Sequence, residues 1–375
     1  MTNDRPRYVF IDNLRWVIVV LVLIYHVFYN FNAVGVFGGI GGLQEQQWQD
    51  VICTALNPWF MTLMFVLAGA SSRYALMRRS PREFRKERTH KLLVPATLGL
   101  LIQGAALGYV NMRASGTTLP AEMPFVVRYL IAAISGTGAL WFIQDLFLFS
   151  LLLLALRKRV NEERIEDCLS KCSETKLLCI LCLLYPLLWA LSQTQIDNVG
   201  TFDGLLNLYR PIYYFVVFLV GYYIFSSEHI HNLLERRYGW FLGAMVVFGV
   251  IFCTKFYGMD YTSPIAVQSP WCNFYCASAA LALMGAFKRW YNHTSPFAAY
   301  MTRSSYGLYI VHMVVCTTSC LLLKGTALPV WSIYGLALTA TFIGSVVLWE
   351  LLRRVPLIRW CVFGIRERGT ANNVL

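Results

Sequence analysis

Apolar residues fall in long blocks along this chain. Ten of the blocks approach the roughly 20 residues that carry a helix across a bilayer. They run over 12–33, 52–73, 91–110, 138–157, 177–193, 209–226, 239–255, 270–287, 304–323 and 331–352, the fifth and seventh being the shortest. The segments between them are of two alternating kinds. One kind is basic: Arg5 and Arg7 ahead of the first block, Arg78 to Lys91 after the second, Arg157 to Arg159 after the fourth, Arg236 and Arg237 before the seventh, Lys288 and Arg289 after the eighth, and Arg353 to Arg368 in the tail. The other kind, 34–51, 194–208, 256–269 and 324–330, is poor in Lys and Arg. Positive segments are retained in the cytoplasm, so the alternation puts both termini there. The expected fold is an all-α, polytopic transmembrane helical bundle. It is one integral domain over 1–375 with no appended soluble domain, multi-pass in the inner or plasma membrane. The segment 111–137, with Pro120 and Pro124, reads as a long outward loop.

Composition agrees with this pattern. Hydrophobic residues make up 57% of the chain and charged residues 14%, against about a quarter charged in a soluble domain. The net charge of +12 sits in the basic loops, so it reports topology and excludes nucleic acid as a partner. The first apolar block is too long for a cleavable signal peptide. Most of the eleven cysteines lie in apolar blocks, where cysteine packs as a small hydrophobe. A pair between Cys272 and Cys276 near the outer face is the lesser alternative to this reading. The group Cys168, Cys172, Cys179 and Cys182 lacks the compact paired spacing of a closed zinc centre, and no metal is expected.

Ionisable side chains inside apolar blocks are costly, so each is a candidate for function. Arg15 and His26 come first. Eleven residues turn a helix through 1100°, within 20° of three full turns, and rise about 16 Å. The two side chains therefore share one face, with Arg15 near the cytoplasmic rim and His26 near mid-bilayer. Asp12 is close enough in sequence to pair with Arg15. Histidine suits the work of a general base because its proton affinity lies near neutrality. Asp145 or Glu350 could orient it, although Glu350 also suits a rim pair with Arg353 or Arg354. The charged stretch Arg82 to Pro95 is either an anchor for anionic membrane lipids or a phosphate-binding rim, a task for which Arg is well shaped. Tyr309 and His312 mark the ninth block. His90 reads as a rim residue, and His229, His231 and His293 as solvated residues of basic loops.

These residues fall in recognisable motifs. The stretch Phe10 to His26 (FIDNLRWVIVVLVLIYH) resembles the first helix of the acyltransferase-3 superfamily of membrane O-acyltransferases, with its R-x10-H motif. Phe60 to Ala70 looks like the second-helix signature, with Ala68-Gly69 where many members have Ser-Gly. Glu87 to Pro95 is similar to the R-x-x-R lead-in of the third helix. Ala139 to Phe147 resembles a Leu-Trp-Phe segment, and Ser305 to His312 the ninth helix. The resemblance implies an acyl-CoA donor, usually acetyl-CoA, and a carbohydrate hydroxyl as acceptor. It makes His26 catalytic with Arg15 as companion; Asp145, a carboxylate inside the fourth block, is a third candidate from the residues alone. Arg88 matches the first position of R-x-x-R, and the second is Lys91 here. Arg82 to Arg85 and Arg85 to Arg88 are competing registers. Arg85, Arg88 and Lys91 are thus the expected donor-binding residues, and Trp141, Tyr309 and His312 the expected substrate contacts. Within the superfamily, the Ala-Gly variant and Leu92-Leu93-Val94-Pro95 look most similar to glucan biosynthesis protein C-like members, which implies succinyl as a second acyl option. Any further step at the outer face would need a separate extracytoplasmic transferase. The rival class, a transporter or flippase of an envelope precursor, predicts inverted repeats, and none is visible.

Overall fold

The computed structural model describes residues 8–36, 38–45, 47–194, 199–201, 206–208 and 210–365. Arg5, Arg7, Arg366 and Arg368 of the basic segments, and much of 194–208, lie outside the described residues. Every apolar block folds as helix. Among the described residues, eight helices are long and apolar enough to cross a membrane. The sixth block yields only the 13-residue helix Pro211–Tyr223. The eighth forms a 21-residue helix, Pro270–Trp290, that carries Asn273, Lys288 and Arg289.

We label the principal helices α1 (Val9–Asn30), α2 (Phe60–Arg78), α3 (Pro81–Ser115), α4 (Phe125–Ser135), α5 (Trp141–Leu156), α6 (Glu162–Lys171), α7 (Glu174–Gln193), α8 (Pro211–Tyr223), α9 (Glu228–Lys255), α10 (Pro270–Trp290), α11 (Pro296–Lys324), α12 (Val330–Leu352) and α13 (Pro356–Phe363). A short antiparallel pair, β1 (Val199–Thr201) and β2 (Leu206–Leu208), precedes α8. The chain divides into two compact units, residues 1–79, 152–197 and 210–305 in the first and 80–151, 198–209 and 306–375 in the second.

In the first unit, α1 runs antiparallel to α2, with Tyr25 packed on Phe60 and Arg15 bonded to Ser71. Helices α2 and α8 run parallel: Phe65 stacks on Tyr214, Gly69 meets Phe218, and Arg73 meets Tyr222. Small residues allow this approach, as in membrane helix pairs generally. A Cβ at Gly69 would lie 2.1 Å from the Phe218 carbonyl oxygen, and one at Gly221 would lie 2.2 Å from that of Val66. Gly285 of α10 sits in the same way against the Leu234 backbone of α9.

Helix α6 is amphipathic and is tied down by its first residue. The Glu162 carboxylate accepts from Arg157 Nε at 3.0 Å, from the Tyr222 hydroxyl at 2.6 Å, and from Arg73. Ser227 donates to Glu166 at 3.0 Å, one turn along.

In the second unit, α3 opens with a capping box between Ser80 and Glu83, followed by Pro81. It contains two π turns, Thr89–Leu93 and Leu100–Gly104. The expected outward loop 111–137 is corrected here. Residues 125–135 form α4, an apolar helix hidden from a span-length reading by its 11 residues. It lies on α3 where Gly104, Gly108 and Gly136 leave no room for side chains. Helix α12 runs back along α11, with Gly307 under the Trp349 ring and Gly344 on Val315. Helix α13 meets the start of α3: Gly364 abuts the His90 carbonyl and Gly99 the backbone at Cys361.

Cys272 and Cys276 are free, buried thiols, one turn apart on α10, so the alternative of a pair is not realised. One local expectation fails. His231 is buried rather than solvated. It sits between the Tyr8 and Phe10 rings at 5.1 Å from each and bonds the Phe225 carbonyl through Nε2. It belongs to α9, whose first turns cover the start of α1, so its position within a basic segment gave no hint of burial.

Candidate active site

The α1 sequence leaves two polar groups on one helix face, and the first unit fixes both. Asp12 in the first turn accepts from Arg15 at 3.1 Å. The other guanidinium arm donates to Ser71 Oγ of α2, and Ser71 in turn donates to the Leu67 carbonyl at 2.7 Å. Giving its proton to Leu67 leaves the Ser71 lone pairs turned to Arg15. The arginine is therefore held by a carboxylate and a hydroxyl, with its side chain 31% exposed.

His26 lies four residues before the end of α1 at Asn30, so it is one turn from the helix terminus rather than near its middle. Its Nδ1 is 2.8 Å from the Val22 carbonyl. A carbonyl can only accept, so Nδ1 carries the proton, and in the neutral ring Nε2 is the basic nitrogen. The backbone itself thus sets the tautomer, the task that sequence reasoning gave to a carboxylate. Tyr25 and Tyr29, stacked on each other at 5.7 Å, both meet the ring edge-on, at 5.2 and 5.8 Å. Glu350, the other carboxylate considered, pairs with Arg353 at 2.6 Å.

The remaining expected residues lie in the second unit. Arg85 is exposed. Lys91 is turned outward into an ion pair with Glu87 at 2.8 Å. Arg88 is half-buried and stacks over Phe84, with its guanidinium carbon 4.7 Å from the ring centroid. Of the three, Arg88 is the one turned against the protein. The first π turn, one residue beyond it, offers the Lys91 carbonyl to the Tyr306 hydroxyl.

Deeper in this unit, the Tyr309 hydroxyl donates to the Ala139 carbonyl at 2.5 Å, and its ring meets Phe142 at 5.7 Å. Trp141 is half-buried, edge-on to Phe142 at 6.3 Å. His312 is fully buried and repeats the His26 device: Nδ1 bonds the carbonyl one turn back, Tyr309 O, at 2.6 Å. Asp145 is 0% exposed, and neither carboxylate oxygen has a hydrogen-bond partner among the described residues. Its α5 face also carries Phe142, three residues earlier, which places it by Tyr309. An unpaired carboxyl group at such depth is expensive to keep, so Asp145 stands as a candidate for function.

The family model for the acyltransferase-3 acyltransferase domain matches residues 8–350. The chain belongs to the acyltransferase-3 superfamily. No curated protein and no solved structure gave a match. The match begins one residue before α1 and ends at Glu350, so it takes in every candidate residue of the acyltransferase.

Sequence reasoning passed over two residues that the structure brings forward. Ser71 holds Arg15, and its signal was faint, a serine among small residues. Gln103 is buried in the second π turn. Its amide nitrogen donates to the Ile310 carbonyl, and its Oε1 has no partner among the described residues. A lone amide in an apolar run was a usable signal for this acyltransferase.

Proposed function

We propose that the acyltransferase moves an acyl group from cytoplasmic acyl-CoA to a hydroxyl of an extracytoplasmic carbohydrate, with His26 as general base. Acetyl is the first option for the acyl group and succinyl the second. In this reading α1 starts at the cytoplasmic face, and Arg15 meets the phosphates of the donor. The pantetheine arm covers the roughly 16 Å of helix rise between Arg15 and His26. His26 Nε2 takes the proton of the acceptor hydroxyl as its oxygen attacks the thioester carbonyl carbon. The carbon–sulfur bond breaks, and the departing thiolate takes that proton back from His26. In the second unit, Asp145 is the candidate catalytic group, Arg88 the candidate for donor phosphate, and Trp141, Tyr309 and His312 the candidates for substrate contact.

One observation carries the proposal. The His26 tautomer is set by Val22, so the basic nitrogen is Nε2, on a helix face that also holds a fixed arginine. The test uses purified protein in lipid nanodiscs with labelled acetyl-CoA or succinyl-CoA and envelope glycans, read by product mass. Wild-type protein adds one acyl mass to the glycan, and His26→Gln loses about a hundredfold or more of the rate. Transfer by His26→Ala at the wild-type rate would sink the mechanism.

A further inference from the structure

Tyr29 is three residues beyond His26, hence on the same side of α1, and its ring stands at 71° to the imidazole. Tyr25, whose ring stacks on one face of Tyr29 with centroids 5.7 Å apart, is committed to the core: it is buried, packs on Phe60 and donates to Asn57 at 3.2 Å. Tyr29 is half-buried.

The segment after α1 folds back onto Tyr29. Asp50 accepts from the Ala33 amide at 3.0 Å, Gln47 donates to the Phe31 carbonyl at 2.7 Å, and Asn32 accepts from the Val36 amide at 3.0 Å. The Ile40 amide reaches the Asn30 carbonyl at 2.8 Å. These bonds lay Gly38 and Gly39 on the last turn of the helix. A Cβ at Gly38 would lie 2.6 Å from the Tyr29 hydroxyl, and one at Gly39 would lie 2.8 Å from the Tyr29 carbonyl. Gly38 also has φ +94°, a conformation that suits glycine. A pair of glycines is thus held against the hydroxyl end of a half-buried tyrosine beside the proposed base. A tyrosine serving only as a membrane-interface anchor needs water and headgroups, not a fitted loop.

We propose that Tyr29 is the platform on which a sugar ring of the acceptor packs, and that Gly38 sets the position of that platform. A pyranose offers an apolar C–H face and a hydroxyl edge. An aromatic ring takes the first. Tyr29 is then a specificity-determining residue, and the inference rests on the carbohydrate reading above.

The test measures acceptor and donor KM separately for purified variants. Tyr29→Ala raises the KM for the glycan about tenfold, the size of a lost aromatic contact, and leaves the KM for acyl-CoA unchanged. The unchanged donor KM also shows that the variant is folded. Gly38→Ala displaces the tyrosine and raises the glycan KM too. Gly35→Ala reports backbone strain alone, because Gly35 has φ +81° with nothing within 4 Å of its Cβ position; it keeps the wild-type glycan KM. In the double variant Gly38→Ala with Tyr29→Phe, the added methyl meets only ring carbon Cζ at 3.7 Å, an ordinary contact. The glycan KM therefore returns to that of Tyr29→Phe alone. A glycan KM indifferent to Tyr29→Ala, or a Gly38→Ala effect matched by Gly35→Ala, overturns the platform alone. Wild-type protein that acylates no glycan overturns the parent reading and the platform with it.

Discussion

Alanine at position 69 adds one methyl group where α2 crosses α8. That methyl would start 2.1 Å from the Phe218 carbonyl oxygen and 2.8 Å from the Tyr222 amide nitrogen. Both are backbone atoms, which cannot rotate away as a side chain can. Reaching even a tight contact requires the helices to part by about 1 Å. Overpacking of this kind costs about 1–3 kcal/mol. At about 2.1 cal/mol/K per residue, a chain of 375 residues has an unfolding entropy near 0.8 kcal/mol/K, so Gly69→Ala melts about 1–4 °C lower. Gly239 of α9 is the counterpart: it is helical, and nothing lies within 4 Å of its Cβ position. There alanine gains helix propensity of up to about 1 kcal/mol, and the protein melts about 1 °C higher. The same chemical change thus has opposite signs at two glycines. The assay is thermal unfolding in detergent with a thiol-reactive dye, since Cys53, Cys272 and Cys276 are free and buried until the fold opens. A Gly69→Ala protein melting no lower than wild type would refute the packing argument, as would equal losses at both sites.

Two further outcomes concern the chemistry. Ser71→Ala removes a hydrogen bond to a charged group, worth about 1.5–3 kcal/mol. The KM for acyl-CoA should rise about tenfold or more with the glycan KM unchanged, and Ser71→Thr should restore it; an unmoved donor KM removes Ser71 from the support of Arg15. Asp145→Asn keeps the shape of a side chain that bonds nothing among the described residues, so its melting temperature should hold while kcat falls about a hundredfold or more. Wild-type turnover in that variant assigns Asp145 to structure.

Helix places were legible because hydropathy is a local property: α1, α5 and α12 lie within a few residues of the blocks that announced them. The shared face of Arg15 and His26 was legible for the same reason, since one regular helix carries both. The reading failed where the decisive partner is distant in sequence. Nothing around His231 announces Tyr8 and Phe10, and nothing around Ser71 announces Arg15. Regular-helix counting does not carry across α3, where geometry departs from 100° per residue. Each π turn in α3 inserts an extra residue into a turn, so face assignments from Arg85 to Gln103 drift. Helix α4 was lost to length, because a rule tuned to full spans discards 11 apolar residues after Pro124.

The Glu162 knot has a consequence for how the chain is assembled as it emerges. Its members arrive in the order Arg73, Arg157, Glu162 and Tyr222. Glu162 can pair with Arg157 as soon as both are made, five residues apart. It can pair with Arg73 because α2 has already been laid down. The Tyr222 bond must wait until α7 and α8 have entered the bilayer. A carboxylate held by two arginines therefore stands ready before its last ligand exists. The closing hydrogen bond can form only once α8 arrives, on a side chain that Arg73 and Arg157 already hold in place.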